Sequence, residues 1–223
     1  FIGTVGLGFQ VGASGYIRFS LASVFFSLVL ILAFGRALRR QRLYTLADLF
    51  GQRFGARVGI IPSLLSAVVY SIPTTAMQYL AMSTIWTACF GMDVNTALIL
   101  SAVLVLGFTI LGGLPGTIIT DALQAVLIIA GIVILAAASV NLAGGMGSLL
   151  AATPPEFLSP SGPYGAREVA MFFLSVGPFY LVWQSSWQRI FAAESEKVSL
   201  RANTLGVLVC AGVFVCPIII GLA

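Results

Sequence analysis

Long apolar runs leave this chain almost no charge with which to build a water-facing surface. Only 8% of its 223 residues are charged and 59% are hydrophobic, with a mean hydropathy of +1.07. Ordinary soluble domains carry about 25% charged residues. A soluble fold would need a polar exterior that this composition cannot supply. The sequence therefore predicts an all-α protein whose helices cross a membrane several times.

Several classes of function are excluded by the residues that the sequence lacks. There is no His, which removes His-based catalytic triads, H-E-x-x-H zinc sites and haem ligation through His. The three Cys form no C-x-x-C pair and are predicted to be packing residues. The net charge of +4 comes from basic residues in short gaps between apolar runs, so nucleic acid is not a predicted partner. No enzyme motif is found.

The apolar runs predict one half-span and six full spans, since a helix needs about 20 apolar residues to cross a bilayer. The half-span is the Gly-rich stretch 1–15, and its first residue, Phe1, predicts that the sequence is part of a longer protein. The full spans are about 19–38, 57–90, 95–111, 117–142, 166–188 and 198–222. Nothing marks a second domain, so 1–223 is predicted to be a single transmembrane domain.

Gly and Pro predict where these spans bend or end. Pro62 and Pro73 predict kinks in 57–90, and Gly-Gly-Leu-Pro-Gly at 112–116 predicts a tight reversal. Residues 143–165, rich in Gly, Pro and Ser, are predicted to form the one extended loop. Thr45 is predicted to cap a short amphipathic segment that ends near Arg53.

The basic residues predict which loops face the cytoplasm. Loops 36–57 and 189–201 hold nine of the eleven, namely Arg36, Arg39, Arg40, Arg42, Arg53, Arg57, Arg189, Lys197 and Arg201. The opposite side holds Arg18 and Arg167. Loops 36–57 and 189–201 are therefore predicted to be cytoplasmic, and loop 143–165 is predicted to lie on the extracytoplasmic side of the cell membrane.

Asp121 is the one acidic residue set well apart from the loops. A carboxylate at membrane depth is costly and predicts a functional role. The alternative is that Asp121 lies at headgroup level and pairs with a neighbour.

The span 166–188 contains a break at Ser175-Val176-Gly177-Pro178, because Pro has no N–H to donate to the helix. An aromatic and amide-rich stretch follows. A kinked helix with interfacial Trp and Arg is the simpler interpretation. However, the Gly-rich stretch 1–15 is a second candidate break. Broken helices at the starts of two helix groups are typical of transporters built from inverted repeats.

Four segments give the chain a resemblance to the sodium:solute symporter family. They cover nearly the whole chain, and the third is the most specific. They are Phe1-Ile2-Gly3-x-x-Gly6-x-Gly8, Tyr44-Thr45-Leu46-x-Asp48-x-x-x-x-Arg53-Phe54, Gly112-Gly113-Leu114-x-Gly116-x-Ile118-x-Thr120-Asp121-x-x-Gln124 and Gln188-Arg189-x-x-Ala192-Ala193-x-Ser195.

The resemblance implies a leucine-transporter-like five-plus-five inverted repeat, here truncated at both ends. The first repeat would occupy about 1–142, the outer loop 143–165, and the start of the second repeat 166–223. It implies that Asp121 lies near the sodium site or on the sodium path to the cytoplasm. The main sodium ligands would lie outside this sequence.

The same resemblance implies that Phe179 and Tyr180 stack on the solute and form part of an inner gate, with Trp183 and Gln184 as lining residues. It implies sodium-coupled uptake of a small organic solute, with sodium as the co-transported ion. Val176 stands where the sugar carriers place an Asn, which favours an amino acid or a monocarboxylate over a sugar. The alternatives are a sensor module ahead of a histidine kinase and a passive facilitator.

Overall fold

Every regular element in the described part of the chain, residues 1–41 and 43–223 of a computed structural model, is helical. The α-helices are α1 (Ile2–Val11), α2 (Ala22–Val29), α3 (Gly35–Gln41), α4 (Leu46–Phe54), α5 (Ala56–Leu64), α6 (Ile72–Phe90), α7 (Val94–Leu142), α8 (Met146–Ala152), α9 (Pro155–Leu158), α10 (Ala166–Val176), α11 (Gln184–Ala192), α12 (Glu196–Val213) and α13 (Val215–Leu222). Wider π-helical turns cover Tyr16–Leu21, Leu30–Phe34 and Leu65–Ser71, and Gly177–Leu181 is a 3₁₀ turn. Six segments of the described residues are long and apolar enough to cross a membrane. The predicted multi-pass helical protein is confirmed.

The segment Tyr16–Gln41 is the central helix of the molecule. In its most apolar stretch 39% of the residues are buried, against 6% for Arg57–Phe90 and 11% for each of the other four segments. Exposed apolar side chains on those outer segments suit contact with lipid. Two π-helical turns lie within the central helix, and such turns occur often at functional sites.

A buried apolar core ties the central helix to α11. Its members are Leu30, Ile31, Leu38, Leu43, Leu46, Trp187, Ile190 and Phe191. This core holds α11, which follows the break predicted within 166–188, against the central helix. Packing therefore fixes the position of that break.

Helices α1 and α13 cross at two glycines. A Cβ atom at Gly8 would lie 2.7 Å from the carbonyl oxygen of Ile218, and one at Gly221 would overlap the carbonyl oxygen of Val5. Small residues allow membrane helices to approach this closely. The Gly-rich half-span is therefore a ten-residue helix that packs on the last helix of the chain.

The predicted reversal at 112–116 is wrong, because α7 continues as one helix from Val94 to Leu142. A continued helix keeps the backbone hydrogen bonds within the segment, and membrane helices tolerate Gly and Pro. Its 49 residues give a length of about 73 Å, more than twice the hydrocarbon thickness of about 30 Å. Each apolar half, Val94–Gly112 and Ile118–Leu142, is long enough for one crossing.

Three other local predictions can be compared with the structure. Thr45 caps α4, since its Oγ1 accepts from the Asp48 N–H at 3.2 Å and the Asp48 carboxylate accepts from the Thr45 N–H at 2.8 Å. The loop 143–165 is more regular than predicted and contains α8 and α9. Pro62 and Pro73 flank the π-helical turn Leu65–Ser71. Arg42, one of the nine predicted cytoplasmic basic residues, lies outside the described residues.

Candidate functional site

The predicted break in the helix after α10 is confirmed. The α-helix ends at Val176, a 3₁₀ turn covers Gly177–Leu181, and α11 starts at Gln184. Pro178 lacks the N–H that a continuous helix would need. A Cβ at Gly177 would overlap the ring of Phe26, so a larger residue at this position would require that ring to move.

One carbonyl that the break leaves without a helical partner is satisfied by a side chain. The indole Nε1–H of Trp187 donates to the carbonyl oxygen of Leu181 at 2.7 Å. Trp187 is also buried in the apolar core. The break is therefore a fixed feature, because a buried indole both packs beneath it and supplies its missing hydrogen bond.

Four aromatic side chains gather at the break; Tyr70, Phe179, Tyr180 and Trp183 are called the aromatic cluster below. The rings of Tyr180 and Trp183 are stacked, with centroids 5.0 Å apart and planes 15° apart. Tyr70 lies 4.8 Å from Phe179 and 5.1 Å from Trp183. Phe19 of the central helix meets Tyr180 edge-on at 6.4 Å. Such a surface offers stacking contacts to a flat or apolar group of a small molecule.

Three of the predicted site residues, Phe179, Tyr180 and Trp183, are thus brought together, and the fourth is placed differently. The Gln184 Oε1 accepts a hydrogen bond from the Leu46 N–H at 3.3 Å. Gln184 therefore joins the start of α11 to the start of α4.

Tyr70 belongs to the aromatic cluster and was missed by the sequence analysis. It lies on the π-helical turn Leu65–Ser71, between the two prolines of its span. The extra residue in a π-helical turn changes which side chains face inward. The sequence signal was a tyrosine in an apolar run bounded by prolines, but that signal does not specify a facing direction. A separate open, mainly apolar groove of about 350 Å³ lies beside Ser71, Thr75 and Tyr79, and no member of the aromatic cluster lines it.

Asp121 forms an ion pair with Arg189. The Arg189 Nη2 lies 3.5 Å from the Asp121 Oδ2, and the two side chains are 67% and 58% exposed. This contact joins the third and fourth of the segments that carry the family resemblance. It is also the kind of pairing with a neighbour that the simpler interpretation of Asp121 predicted.

The remaining ion pairs divide the molecule into two ends. Arg40 binds Glu196 at 2.8 Å, and Arg39 donates to the Glu194 carbonyl at 3.4 Å. These contacts join the two loops that the basic residues predicted to lie on one side. We call this the Arg189 end; its members are Arg39, Arg40, Asp121, Arg189, Glu194 and Glu196.

Contacts of the half-buried Ala13 and the buried Arg18 hold the opposite end. The Ala13 N–H donates to the Phe157 carbonyl at 2.7 Å, and Arg18 pairs with Glu168 at 3.3 Å. We call this the Arg18 end; its members are Gly12, Ala13, Arg18, Phe157, Tyr164 and Glu168. It includes part of loop 143–165, which was predicted to lie on the same side as Arg18.

A metal centre built from side chains is not found among the described residues, where no three His, Cys, Asp or Glu side chains come together.

Comparisons with known proteins agree with the geometry. A model described as "SSF: Sodium:solute symporter family" matches residues 1–223. The sodium/pantothenate symporter of Haemophilus influenzae is 23% identical over 219 residues, which are 94% of this chain and 45% of that protein. The sodium/pantothenate symporter of Escherichia coli K12 is 24% identical over 168 residues, which are 73% of this chain and 35% of that protein. The chain thus spans less than half the length of these relatives.

Proposed function

Because the chain belongs to the sodium:solute symporter family, we propose that the full-length protein uses a sodium gradient to take up a small organic solute by alternating access. The observation that supports this most is the broken helix with its aromatic cluster. Transporters of this kind bind their solutes where membrane helices are interrupted. The relatives are named as symporters and give no support to the alternative of a sensor module.

The aromatic cluster is the proposed solute site and inner gate. Phe179 and Tyr180 lie on the 3₁₀ turn, and Trp183 and Tyr70 complete the stacked surface. A ring that stacks on the solute gains contact area without needing a charged partner. Gln184 holds the turn in register with α4 through Leu46, and it would move with the gate.

Asp121 is the proposed sodium-path residue. Its partner Arg189 is largely exposed, and exposed ion pairs are weak. A sodium ion that approaches the carboxylate therefore competes against little binding energy. Release towards the cytoplasm follows from the same weakness. Positive-inside asymmetry supports a cytoplasmic location for the Arg189 end.

Coupling requires only that sodium and solute favour the same conformer. We propose that the five-plus-five repeat supplies the two conformers, with one break at 177–183 and the other within the Gly-rich stretch 1–15, where α1 ends before Gly12. Sodium would favour opening of the Arg18 end, where the solute enters. The favoured solutes are an amino acid or a monocarboxylate, and the relatives named for pantothenate, itself a carboxylate, fit that class.

The proposal is tested by uptake into proteoliposomes that hold the full-length protein. Uptake of pantothenate, proline, lactate and glucose is measured with an inward sodium gradient and with equal sodium on both sides. We expect one solute to accumulate above its external concentration only with the gradient. Equal flux under both conditions would indicate a passive facilitator and contradict the proposal.

Substitution of Asp121 separates its two proposed interactions. Asp121→Asn is expected to raise the sodium concentration for half-maximal uptake by about tenfold, since one charge-assisted contact is lost. Arg189→Gln is the matched control, because it removes the ion pair and keeps the carboxylate. The sodium-path role is wrong if both variants shift sodium dependence equally or if neither does.

Tyr70 is tested against a tyrosine of the same span. Tyr70→Ala is expected to raise the KM for solute by about tenfold, because a stacked ring contributes about 1 kcal/mol or more. Tyr79→Ala, on the groove of α6, is the control and should change KM little. If the two variants have the same KM, the aromatic cluster does not bind the solute.

A further inference from the structure

A buried arginine with unused hydrogen-bonding capacity lies at the Arg18 end. Arg18 is 4% exposed and lies on the π-helical turn Tyr16–Leu21 of the central helix. Its Nη1 donates to the Glu168 Oε1 at 3.3 Å, and its guanidinium lies over the Tyr164 ring, 5.4 Å from the centroid. Burial of a charged group is costly unless its donors are satisfied. One long hydrogen bond is little compensation.

The other edge of the guanidinium is without a partner among the described residues. Both Nε and Nη2 of Arg18 are buried, and neither makes a hydrogen bond there. These two nitrogens lie side by side with their N–H bonds parallel. That edge matches the two oxygens of a carboxylate, which arginine binds bidentately. Glu168 uses Nη1 alone, so the edge suited to bidentate binding is left to another group.

Two neighbours of the buried guanidinium are themselves exposed to solvent. The Glu168 side chain is 51% exposed, and Tyr164, on the loop that precedes α10, is 60% exposed. Movement of that loop would uncover the guanidinium. Phe19, the next residue along the chain, contacts Tyr180 of the aromatic cluster at 6.4 Å. Arg18 is therefore the neighbour in sequence of a residue that contacts the proposed solute site.

We propose that Arg18 recognises the carboxylate of the transported solute through Nε and Nη2. This inference rests on the proposed function and narrows its substrate class to carboxylate anions. Glu168 is the built-in competitor: its carboxylate neutralises the same guanidinium through Nη1, which weakens the attraction of Arg18 for a solute carboxylate at Nε and Nη2. The Arg18 end thus selects for negative charge before the solute reaches the aromatic cluster.

The competitor gives this proposal a signature that a merely structural ion pair lacks. Arg18→Gln removes the anchor and should weaken carboxylate binding by about tenfold or more. Glu168→Gln removes the competing charge and should strengthen carboxylate binding by several-fold, as long as the protein folds. If the Arg18–Glu168 pair were merely structural, both substitutions would change the affinity for carboxylates in the same direction.

The experiment is equilibrium binding to the full-length protein in detergent, in saturating sodium. The probes are pantothenate and lactate, each beside an uncharged analogue in which a hydroxyl or an amide replaces the carboxylate. Arg18→Lys keeps the charge without the parallel edge, so its affinity for carboxylates should fall between those of wild type and Arg18→Gln. Arg40→Gln, in an exposed ion pair, is the control and should not change binding.

We expect opposite shifts for Arg18→Gln and Glu168→Gln on one carboxylate probe, with its uncharged analogue bound weakly and equally by both. Shifts in the same direction, equal shifts for the uncharged analogue, or binding of none of the carboxylates would each overturn the inference. If Arg18-dependent binding is found but uptake ignores the sodium gradient, the proposed function fails and this inference stands. If uptake requires the sodium gradient but solute binding does not depend on Arg18, this inference fails and the proposed function stands.

Discussion

The two ends of the bundle use ion pairs in opposite ways. At the Arg18 end, the arginine side chain is 5% exposed and its guanidinium lies over the Tyr164 ring, while its partner Glu168 is 51% exposed. At the Arg189 end, the side chains of Arg189 and Arg40 are 67% and 70% exposed. Removing one partner of an ion pair costs much stability when the remaining charge is buried, and little when the pair is exposed to solvent. Removing one partner should therefore cost more stability at the Arg18 end, whereas the Arg189 end is held by contacts that water can replace.

This difference fits a transporter that opens one end at a time. Opening the Arg18 end requires a compensating partner for the guanidinium, which a solute carboxylate would supply. Opening the Arg189 end needs no such partner, because solvent already reaches Asp121 and Arg189. Entry would then be selective and exit permissive, the order that uptake requires.

The largest expected loss of stability comes from a substitution at the close crossing of α1 and α13. Gly221→Val should destabilise the protein by about 3 kcal/mol, because the new side chain meets backbone atoms of α1 that cannot move aside. The measurement is the apparent Tm of full-length protein in detergent. Gly212→Val is the control, since a Cβ at Gly212 has no neighbour within 4 Å. Equal Tm values for the two variants would show that α1 is not packed as described.

A smaller effect is expected from removing the buried arginine's partner. Glu168→Gln should cost about 2 kcal/mol without ligand, because it leaves the guanidinium of Arg18 buried and unpaired. The apparent Tm should therefore fall in the absence of solute and recover when a bound carboxylate is added. A Tm that is unchanged without ligand would mean that water already reaches Arg18, and the ends would not differ as proposed.

The smallest effect is expected at the Arg189 end. Arg40→Gln should leave the apparent Tm unchanged within error, because both partners of the Arg40–Glu196 pair are exposed to solvent and screened by salt. Raising the salt concentration should likewise have little effect on the difference between this variant and the wild type. A fall in Tm as large as that of Glu168→Gln would remove the distinction between the two ends.

The sequence alone was sufficient for several features that depend on composition or on local backbone chemistry. The apolar runs predicted the membrane helices, Gly177-Pro178 predicted the break, and Thr45 predicted a cap that the structure contains. These features follow from local chemistry. The reversal at 112–116 was wrong because Gly and Pro terminate helices reliably in water, where exposed backbone groups find other partners, but less so in apolar surroundings.

What the sequence did not reveal depends on which way side chains face. Tyr70 joins the aromatic cluster through a π-helical turn, and such a turn has no reliable sequence signature. Arg18 counted only as one basic residue of the outer side, since nothing in the sequence places Glu168 or Tyr164 beside it. The sequence predicted that Asp121 could pair with a neighbour at headgroup level. Only the structure identifies that partner as Arg189.

The most direct test of the difference between the ends is the accessibility of single cysteines to a water-soluble thiol reagent. Ser20→Cys reports on the Arg18 end and Ser185→Cys on the approach to the Arg189 end, in full-length protein whose Cys89, Cys210 and Cys216 have been replaced. Without sodium, Ser185→Cys should react much faster, since Ser20 is fully buried here. Adding sodium should speed the reaction at Ser20→Cys and slow it at Ser185→Cys. Rates that sodium leaves unchanged at both positions would contradict the account.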